Sequence, residues 1–412
     1  MKIVYFVESF PITSETFILN QITGMMDKGH EVYILSWSRM EITKKHSIVD
    51  KYKLLDHTHY LDDLPKTYLH RIAKFISLIL SNLSTLHLDI IVLATNAIKH
   101  YKKHINPGAP FLNIFNASIL LASIKPDIIH CQFGSLGPRG LLLMRICNLT
   151  CKLITSFRGA DATKYVKTHP GVYDDLFASG DLFLPVCHAL EQRLIKLGCD
   201  ANKIKVHYSG IDLANFKYMK RDLTKNTHPK INLLTVARLV EKKGATFAIQ
   251  ASAHLVSLGY DIRHIIVGDG DLRDELADLI NSLGVNNVIQ MYGWKNHDEI
   301  TQLLIDTHIL VAPSITANDG DQEGIPNVIK EAMAMGIPVV STTHGGIPEL
   351  VEDGVSGFLV PERDTGALAD RLRYLIDHPD KWGEMGYAGR KHIEADFDIK
   401  KLNDQLVALY ES

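Results

Sequence analysis

The sequence contains little cysteine and little tryptophan. Its 412 residues include five cysteines and three tryptophans. No two of the cysteines form a Cys-x-x-Cys pair, and their number is odd. Reduced thiols in a cytosolic protein are the simplest interpretation. The cysteines are Cys131, Cys147, Cys151, Cys187 and Cys199.

Long apolar runs are also missing. The N-terminal run, residues 1–7, ends at Glu8 and is too short for the apolar region of a signal peptide, so we predict a buried first strand. The longest apolar segment, residues 72–98, is interrupted by Lys74 and Asp89, which argues against a membrane span. The segment is still compatible with amphipathic helices that touch a membrane surface.

The chain has no strong excess of charge of either sign. The formal net charge is −3, with 46% hydrophobic and 22% charged residues, a composition typical of globular proteins. Residues 1–200 hold 22 Lys and Arg against 17 Asp and Glu, and the remainder holds 22 against 30. The difference in charge between the two halves is either incidental, or it marks a surface of the first half that faces anionic lipid or a lipid-linked pyrophosphate.

Short apolar runs alternate with helical patterns along the chain. This alternation predicts an α/β fold with parallel sheets and helices on both faces. We predict two Rossmann-like, doubly wound domains that face each other across a cleft, residues 1–213 and 214–398, with a polar linker at 216–230. Ligands of such sheets bind at the carboxyl ends of the strands. The predicted strands are 2–7, 31–36, 127–131, 152–156, 181–185, 231–237, 263–267, 287–291, 309–313 and 339–342.

Two glutamates flank the predicted start of one helix. Pro326 suits a first helical position and Gly336 a left-handed cap, so a helix is predicted from Pro326 to about Met335. Glu323 is then expected in the preceding loop and Glu331 inside the helix. Free N–H groups between them favour a phosphate or a sugar hydroxyl. On its own, a carboxylate pair on a helix is more often a solvated face.

The string around these glutamates resembles the Glu-x7-Glu signature of retaining glycosyltransferases of family 4, which have the GT-B fold. It reads Glu-Gly-Ile-Pro-Asn, then Glu-Ala-Met-Ala-Met-Gly-Ile-Pro-Val-Val. In that family the first glutamate binds hydroxyls of the donor sugar and the second binds the ribose. The resemblance implies these roles for Glu323 and Glu331, and donor contacts for Gly324, Ile325 and Asn327.

A basic turn follows the predicted strand 231–237. Arg can hold phosphate oxygens bidentately and Lys adds a point charge, although a solvated turn is the alternative. The turn resembles the family's Arg-Leu-x-x-x-Lys-Gly element, whose cations bind the donor phosphates. The resemblance therefore implies catalytic roles for Arg238 and Lys243, with Glu323 as the third catalytic residue.

Gly268 and Gly270 follow another strand and open a helix. The third glycine of the dinucleotide fingerprint is missing, so a nicotinamide cofactor is not expected. In the related glycosyltransferases this turn lies beside the nucleotide, which implies donor contacts for both glycines. The expected co-substrate is a nucleotide sugar such as a UDP- or GDP-sugar, with no further cofactor.

Two Asp-Gly-Asp strings, 269–271 and 319–321, look like the metal motif of the other large glycosyltransferase fold. We reject a metal site because the cations of Arg238 and Lys243 would neutralise the diphosphate. The second string is interpreted as a solvated lead-in to Glu323, with a calcium site as the weaker alternative.

The first domain carries a Ser-Glu-Thr-Phe string between the first strand and an amphipathic helix. Ser14 is a natural N-cap, and Glu15 falls in the first turn. The string resembles a subgroup that builds exopolysaccharides, including colanic-acid-type enzymes, and His130 at another strand end matches it too. These residues and Thr16 are acceptor-side candidates, although one histidine at a strand end is more often a structural hydrogen-bonder.

One loop departs from the family pattern. The family reads Phe-His-Gly-x-Asp, with its histidine near the C6 hydroxyl of the donor sugar, whereas residues 157–161 read Phe-Arg-Gly-Ala-Asp. The resemblance places Arg158 and Asp161 on the donor side. Arg158 either pairs with Asp161 and shapes the loop, or contacts an anionic group on the donor or the acceptor.

Taken together, the resemblance implies a retaining, metal-independent hexosyltransferase. It would move a sugar from a nucleoside diphosphate to a hydroxyl of a glycan or lipid-linked acceptor, in bacterial exopolysaccharide, capsule or O-antigen synthesis. By analogy the final helix, about 399–412, packs back on the first domain. The expected location is the cytoplasm, with membrane contact through the first domain left open and no nucleic acid partner. A GT-B nucleotide-sugar epimerase and an inactive nucleotide-sugar-binding protein are the alternatives.

Overall fold

Two parallel sheets organise the chain. A computed structural model describes residues 1–11, 15–40, 47–62, 67–86, 89–104, 110–221 and 230–412. Within these residues, twelve strands form two six-stranded sheets, and all strand pairs are parallel. Parallel strands need crossover connections, which the intervening helices supply.

The first sheet has the strand order β3-β2-β1-β4-β5-β6. Its strands are β1 (Lys2–Phe10), β2 (Glu31–Arg39), β3 (Thr58–Tyr60), β4 (Ile128–Cys131), β5 (Lys152–Phe157) and β6 (Leu182–Pro185). The accompanying helices are α1 (Thr16–Asp27), α2 (Ser47–Lys51), α3 (Tyr68–Leu86), α4 (Asp89–His104), α5 (Phe111–Ile124), α6 (Gly137–Cys147), α7 (Lys164–Thr168), α8 (Asp174–Ser179) and α9 (His188–Lys196).

The second sheet has the order β12-β11-β10-β7-β8-β9. Its strands are β7 (Ile231–Val236), β8 (Ile262–Val267), β9 (Ile289–Gly293), β10 (Ile309–Ala312), β11 (Val339–Thr342) and β12 (Gly357–Val360). The helices are α10 (Ala245–Ser257), α11 (Arg273–Ser282), α12 (His297–Ile305), α13 (Asn327–Ala334), α14 (Thr365–Asp377), α15 (Trp382–Asp396) and α16 (Ile399–Glu411). Both sheets therefore have the doubly wound Rossmann order.

The central strands are buried on both faces, as the continuous apolar runs predict. Residues 3–7 of β1 have no exposed surface. Val4 and Phe6 pack into one hydrophobic cluster, and Ile3, Tyr5 and Val7 pack into another on the opposite face. This alternation fixes the register of the strand between two helical layers.

The ten predicted strands are confirmed. Their ends agree with the prediction within two residues, except that β1 and β2 each extend three residues further. Two edge strands were missed. β3 and β12 have three and four residues and lie at the outer edges of the two sheets. In the predicted linker, residues 222–229 lie outside the described residues. In its first part Arg221 is buried, and its guanidinium donates to the carbonyl oxygens of Leu304 and Ile305. The domain boundary at 213/214 stays a prediction.

Helix α16 contacts the first sheet and its helices. The Tyr410 hydroxyl lies 3.0 Å from the Tyr5 hydroxyl, and Asn403 donates to the carbonyl oxygen of Asn20 in α1. In the other direction, Lys152 of β5 donates to the Leu409 carbonyl. The last helix thus lies against the unit formed by the first half of the chain.

The helices differ from membrane spans in length and polarity. Across the residues that the structure describes, none combines the length and the apolar character needed to cross a bilayer.

Candidate functional site

A cavity of about 770 Å³ lies at the carboxyl edge of the second sheet. Strands β7 and β8 end in its wall at Val236 and Val267, and Thr16 and Ser47 reach it from the first domain. This position agrees with the rule that ligands of doubly wound sheets bind beyond the carboxyl ends of the strands. Five sequence-predicted residues contribute to its walls, namely Thr16, Arg238, Gly268, Asn327 and Glu331.

Helix α13 presents its N-terminus to this cavity. The helix begins at Asn327, and Pro326 has an extended backbone with ψ of 126°. Pro326 is therefore the N-cap and not the first helical residue, which corrects the prediction by one position. Gly336 has the predicted left-handed conformation, with φ of +78°. Asn327 and Glu331, one turn apart, share one helix face and line the cavity together.

Glu331 is a carboxylate held in a poorly solvated place. Its exposed fraction is 8%, and burial raises its pKa to about 7, against the opposing effect of Lys330. Lys330 has no exposed surface and donates to the carbonyl oxygen and the hydroxyl of Ser209 in the segment after α9. A ligand hydroxyl that reaches Glu331 can supply the hydrogen bond that solvent does not.

Glu323 is held by two lysines. Its Oε1 lies 3.2 Å from Nζ of Lys242, and its Oε2 lies 2.9 Å from Nζ of Lys243. Burial alone would raise the pKa of Glu323, but the two ammonium groups outweigh burial and lower the pKa to about 2. The predicted phosphate ligand Lys243 is therefore paired with the predicted sugar ligand Glu323 in this structure.

The backbone beneath Glu323 is fixed by a histidine. The Glu323 N–H donates to Nε2 of His344, so the ring proton lies on Nδ1, which donates to Glu362 over 2.6 Å. Gly345 has φ of +54°, and a Cβ there would lie 2.3 Å from the Glu323 carbonyl oxygen. The glycines after His344 thus let this loop pack closely under the Glu323 loop.

Arg238 is placed differently from the lysines. Its side chain is exposed and lines the cavity, and among the described residues its guanidinium makes no hydrogen bond or ion pair. A guanidinium without an internal partner at a cavity wall can bind an anion bidentately.

The two glycines of the next turn have separate roles. Gly268 lines the cavity with φ of +136°, and a Cβ there would lie 1.7 Å from the Ala237 carbonyl oxygen. Gly270 does not line the cavity, and a Cβ there would lie 2.6 Å from the Leu239 carbonyl oxygen. Gly270 serves close packing of the turn, and its assignment as a donor contact stays a prediction.

Gly324 and Ile325 also lie outside the cavity wall. A Cβ on Gly324 would lie 2.5 Å from the Arg158 carbonyl oxygen, and one on Gly159 would lie 2.8 Å from the Gln322 carbonyl oxygen. Ile325 is buried in the hydrophobic core. These positions bring the two domains into contact beside Glu323.

Arg158 does not form a side-chain pair with Asp161. Its Nε and Nη2 donate to the carbonyl oxygen and Oε1 of Gln132, and its guanidinium lies 4.2 Å from the ring centre of Phe17. The Asp161 carboxylate instead accepts from the backbone N–H groups of residues 134, 158, 159 and 162. Asp161 shapes the loop through the backbone, so the first alternative for Arg158 is corrected.

The acceptor-side candidates separate in the structure. Ser14 lies outside the described residues. Glu15 occupies the N-cap of α1 without a capping bond from its side chain, so the helix begins one residue later than expected. Burial raises the pKa of Glu15 to about 7. His130 has no exposed surface, and its two ring nitrogens bond the hydroxyls of Tyr410 and Ser156. His130 is therefore a core hydrogen-bonder and not a residue of the cleft surface.

Three of the four carboxylates in the two Asp-Gly-Asp strings pair with cations of the protein. Asp269 pairs with Arg273, Asp319 with Lys164, and Asp321 with Lys242. Lys242 is 8% exposed in its side chain, so Asp321 belongs to the Glu323 cluster and is not part of a purely solvated loop. In the described part of the chain, no group of three or more His, Cys, Asp or Glu residues is arranged to hold a metal ion.

The family model for Glycosyl transferases group 1 matches residues 217–392, and that for Glycosyltransferase Family 4 matches residues 97–215. The chain is 37% identical to the putative colanic acid biosynthesis glycosyltransferase WcaL of Salmonella typhimurium, with 100% of both chains covered. The chain belongs to glycosyltransferase family 4.

A second relative and a solved structure also match this glycosyltransferase over its whole length. The amylovoran biosynthesis glycosyltransferase AmsK of Erwinia amylovora is 36% identical, with 100% of this chain and 99% of AmsK covered. The crystal structure of Anabaena Alr3699/HepE in complex with UDP and glucose superposes with a TM-score of 0.76 at 20% identity, covering 100% of both chains. The predicted GT-B architecture is confirmed.

Sequence reasoning missed several residues of the site. Lys242 stands next to the chosen Lys243, and His344 was assigned no role. Asn296 and Lys295 line the cavity beside Trp294, and Asn296 caps α12 with a capping box. The capping box was a readable signal, since Asn296 and Glu299 have the required spacing.

Proposed function

We propose that this glycosyltransferase transfers a sugar from a UDP- or GDP-sugar to a glycan or lipid-linked acceptor, with retention of anomeric configuration and without a metal ion. The observation that carries the proposal is the convergence of Arg238, Asn327 and Glu331 on one cavity at the carboxyl edge of the second sheet. A cation, a helix N-terminus and a carboxylate provide the contacts that a diphosphate and a ribose require.

The geometry supplies electrostatic stabilisation of a leaving nucleoside diphosphate. The exposed Arg238 guanidinium and the N–H groups at the start of α13 face the same cavity. Lys243 would add a second cation once it exchanges Glu323 for phosphate oxygens, which frees Glu323 Oε2 for a sugar hydroxyl. Preorganised positive charge at the leaving group is a large catalytic term in such reactions. The departing phosphate can take the acceptor proton.

The names of the relatives support the proposed class of acceptor. The two relatives described above are named for the biosynthesis of colanic acid and amylovoran. We propose that this chain likewise acts in the synthesis of a bacterial exopolysaccharide, capsule or O-antigen, on a saccharide acceptor.

Donor screening tests the proposal. The purified protein is heated with UDP-sugars, GDP-sugars and other nucleotide sugars, and a true donor at ~100 times its Kd should add ~2.7 kcal/mol of stability. Transfer to a saccharide acceptor is then followed with and without a chelator, and the anomer of the product is read by NMR. Inverted product, or activity lost to the chelator and restored by a divalent cation, would overturn the mechanism.

The same assay separates the two alternatives. An epimerase would convert the donor to its epimer without an acceptor, and an inactive binding protein would show protection without transfer or hydrolysis. The intact set of Arg238, Lys243, Glu323 and Glu331 favours the transferase.

We also propose a peripheral contact of the first domain with the inner face of the cell membrane. Five exposed apolar side chains recur at steps of three and four residues on α3, which places them on one helix face. Residues 67–86 contain Arg71 and Lys74 and no Asp or Glu, so the helix suits an anionic surface. The five side chains are Leu69, Ile72, Ile76, Leu80 and Leu83.

Vesicle sedimentation tests this contact. Binding is expected to vesicles that contain phosphatidylglycerol and to fall at high salt. The double variant Ile76→Ser, Leu80→Ser should lose most of the binding. Leu258→Ser removes a similarly exposed apolar side chain from the second domain and is the control. Equal binding of both variants would reject the α3 face as the contact.

A further inference from the structure

Lys242 lies at the centre of a chain of four alternating charges. Its Nζ lies 3.0 Å from Oδ1 of Asp321 and 3.2 Å from Oε1 of Glu323, whose other oxygen faces Lys243. The exposed fraction of its side chain is 8%, against 18% for Lys243. The more buried lysine thus holds two carboxylates, and the less buried lysine holds one.

The backbone around Lys242 fixes the position of the ammonium group. Its carbonyl oxygen accepts from the N–H of Ile315 over 2.8 Å. Gly244 follows with φ of +64°, and a Cβ at this position would lie 1.8 Å from the Pro313 carbonyl oxygen. The turn is therefore pressed against the end of β10, and its lysine is directed at the loop that carries Asp321 and Glu323.

We propose that Lys242 is a positioning residue that keeps the Glu323 carboxylate ionised and in place when Lys243 leaves it for the donor phosphates. This inference rests on the proposed function. If Lys243 moves to a diphosphate, Glu323 loses one of its two cations and remains buried. Lys242, itself anchored by Asp321, supplies the remaining charge on Oε1, so Oε2 is free to accept a hydrogen bond from a sugar hydroxyl.

The pH dependence of turnover tests this role. Without the Lys242 ammonium, burial raises the pKa of Glu323, so protonation should reach the carboxylate at a higher pH. Lys242→Met is expected to lose turnover as the pH falls, by about tenfold between pH 8.5 and 5.5, whereas the wild type stays nearly flat. The KM for the donor should change less than kcat, because the affected group binds the reacting sugar. Lys242→Arg keeps the charge and should restore the flat profile.

The control replaces another lysine that pairs with the same loop. Lys164 lies 2.7 Å from Asp319 and its side chain is 52% exposed. Lys164→Met should keep the profile and turnover of the wild type. A flat profile for Lys242→Met, with turnover within twofold of the wild type, would overturn the proposal.

A second measurement does not depend on turnover. The melting temperatures of Lys242→Met, Glu323→Gln and the double variant are compared at pH 7 without a donor. Removing Lys242 leaves a buried carboxylate with less charge compensation, so Glu323→Gln should restore much of the stability that Lys242→Met loses. Additive losses would reject the Lys242–Glu323 coupling even if the wild type transfers sugar. Coupling in a protein that transfers and hydrolyses no nucleotide sugar would instead reject the proposed function.

Discussion

At the residue scale, two glutamates of one motif have opposite environments. Lys243 and Lys242 overcome burial at Glu323 and lower its pKa to about 2, whereas burial prevails at Glu331 and raises its pKa to about 7. A charged, paired carboxylate suits a role in the reacting step. A poorly solvated carboxylate at a cavity wall suits the binding of hydroxyls.

Matched amide variants should separate these two roles. Glu331→Gln is expected to weaken the affinity for the nucleoside diphosphate of the donor about tenfold or more with a smaller effect on kcat, since a charged acceptor contributes ~1.5–3 kcal/mol to a hydrogen bond. Glu323→Gln should lower kcat and leave the nucleoside diphosphate affinity within a few-fold. Calorimetric titration with the nucleoside diphosphate of the donor that the screen identifies, together with initial rates, measures both. If the two variants show the same pattern, the division of roles is wrong.

The two predicted phosphate ligands should both be needed for turnover. Arg238→Ala and Lys243→Ala are expected to lower kcat by ~10² or more, the scale for removing one preorganised donor to a developing anion. Lys243→Ala should also raise the pKa of Glu323, because that carboxylate loses a cation. Circular dichroism checks the fold. Near-normal kcat in both variants would reject the phosphate clamp.

Arg158 is expected to contribute to substrate choice through its charge. Its guanidinium is held by Gln132 and Phe17, and the structure records no carboxylate within ion-pair distance of it among the described residues. Arg158→His should lower kcat/KM by roughly tenfold to a hundredfold for a substrate with a negative group, and less for a neutral analogue. Arg158→Lys should rescue part of the loss. Equal losses for charged and neutral substrates would assign Arg158 to structure alone.

At the element scale, local signals in the sequence predict the site helix well. Pro326 and Gly336 mark the ends of α13 within one residue. Proline narrows and glycine widens the range of allowed backbone angles, and both effects are independent of the rest of the fold. Contacts between distant elements are not encoded in this way. The pairing of Glu323 with Lys242, and the burial of His130 under Tyr410, depend on residues 81 and 280 positions apart, and no local pattern reports them.

Glu349 illustrates such a contact between the two domains. Its carboxylate accepts from the N–H groups of His188 and Ala189 at the start of α9, and from the hydroxyl of Tyr208 over 3.0 Å. Acceptors at a helix N-terminus stabilise it by satisfying free N–H groups and opposing the positive end of the helix dipole. A side chain of the second domain thus caps a helix of the first.

Removing this cap should destabilise the protein and loosen the domain contact. Glu349→Ala is expected to cost ~1–2 kcal/mol of unfolding free energy. Glu352→Ala, an exposed glutamate three residues on, is the control and should change little. Urea unfolding measures both variants, and amide hydrogen exchange at His188 and Ala189 should rise in Glu349→Ala alone. Unchanged exchange would show that the cap does not protect α9.

At the scale of the whole molecule, the sequence predicted two doubly wound sheets and a cleft because the alternation of apolar strands and helices extends over the whole chain. It could not predict how the domains touch, since glycines such as Gly159 and Gly324 make contacts that exist only once both sheets are folded. Sequence resemblance also identified Arg238 and Glu331 before the cavity that joins them was known. The wall of that cavity also includes residues of α12 and Trp294, and no local pattern of the sequence places them beside Arg238.

Buried histidines connect the stability of the whole molecule to pH. His264 has no exposed surface and bonds the hydroxyls of Thr235 and Ser252, which joins β8 to β7 and α10. Because the Thr235 hydroxyl donates to the Val311 carbonyl, it accepts from Nε2 of His264, and Nδ1 accepts from Ser252. The ring is therefore neutral, and burial lowers its pKa to about 3.

This arrangement predicts a loss of stability in acid. Between pH 6.5 and 3 the unfolded chain protonates His264 and the native state does not, so the unfolding free energy falls as pH falls, by up to ~1.4 kcal/mol per pH unit from this group. His264→Gln lacks the pH-dependent contribution of this histidine to the unfolding free energy. The contributions of all other titratable groups are the same in both proteins and cancel when the two are compared. The stability advantage of the wild type should therefore shrink from pH 6 to pH 4 in urea unfolding curves. The stability advantage of the wild type over His207→Gln should also shrink as the pH falls from 6 to 4, since burial lowers the pKa of His207 to about 4. A difference that stays constant with pH would show that His264 is protonated in the native state as readily as in the unfolded chain.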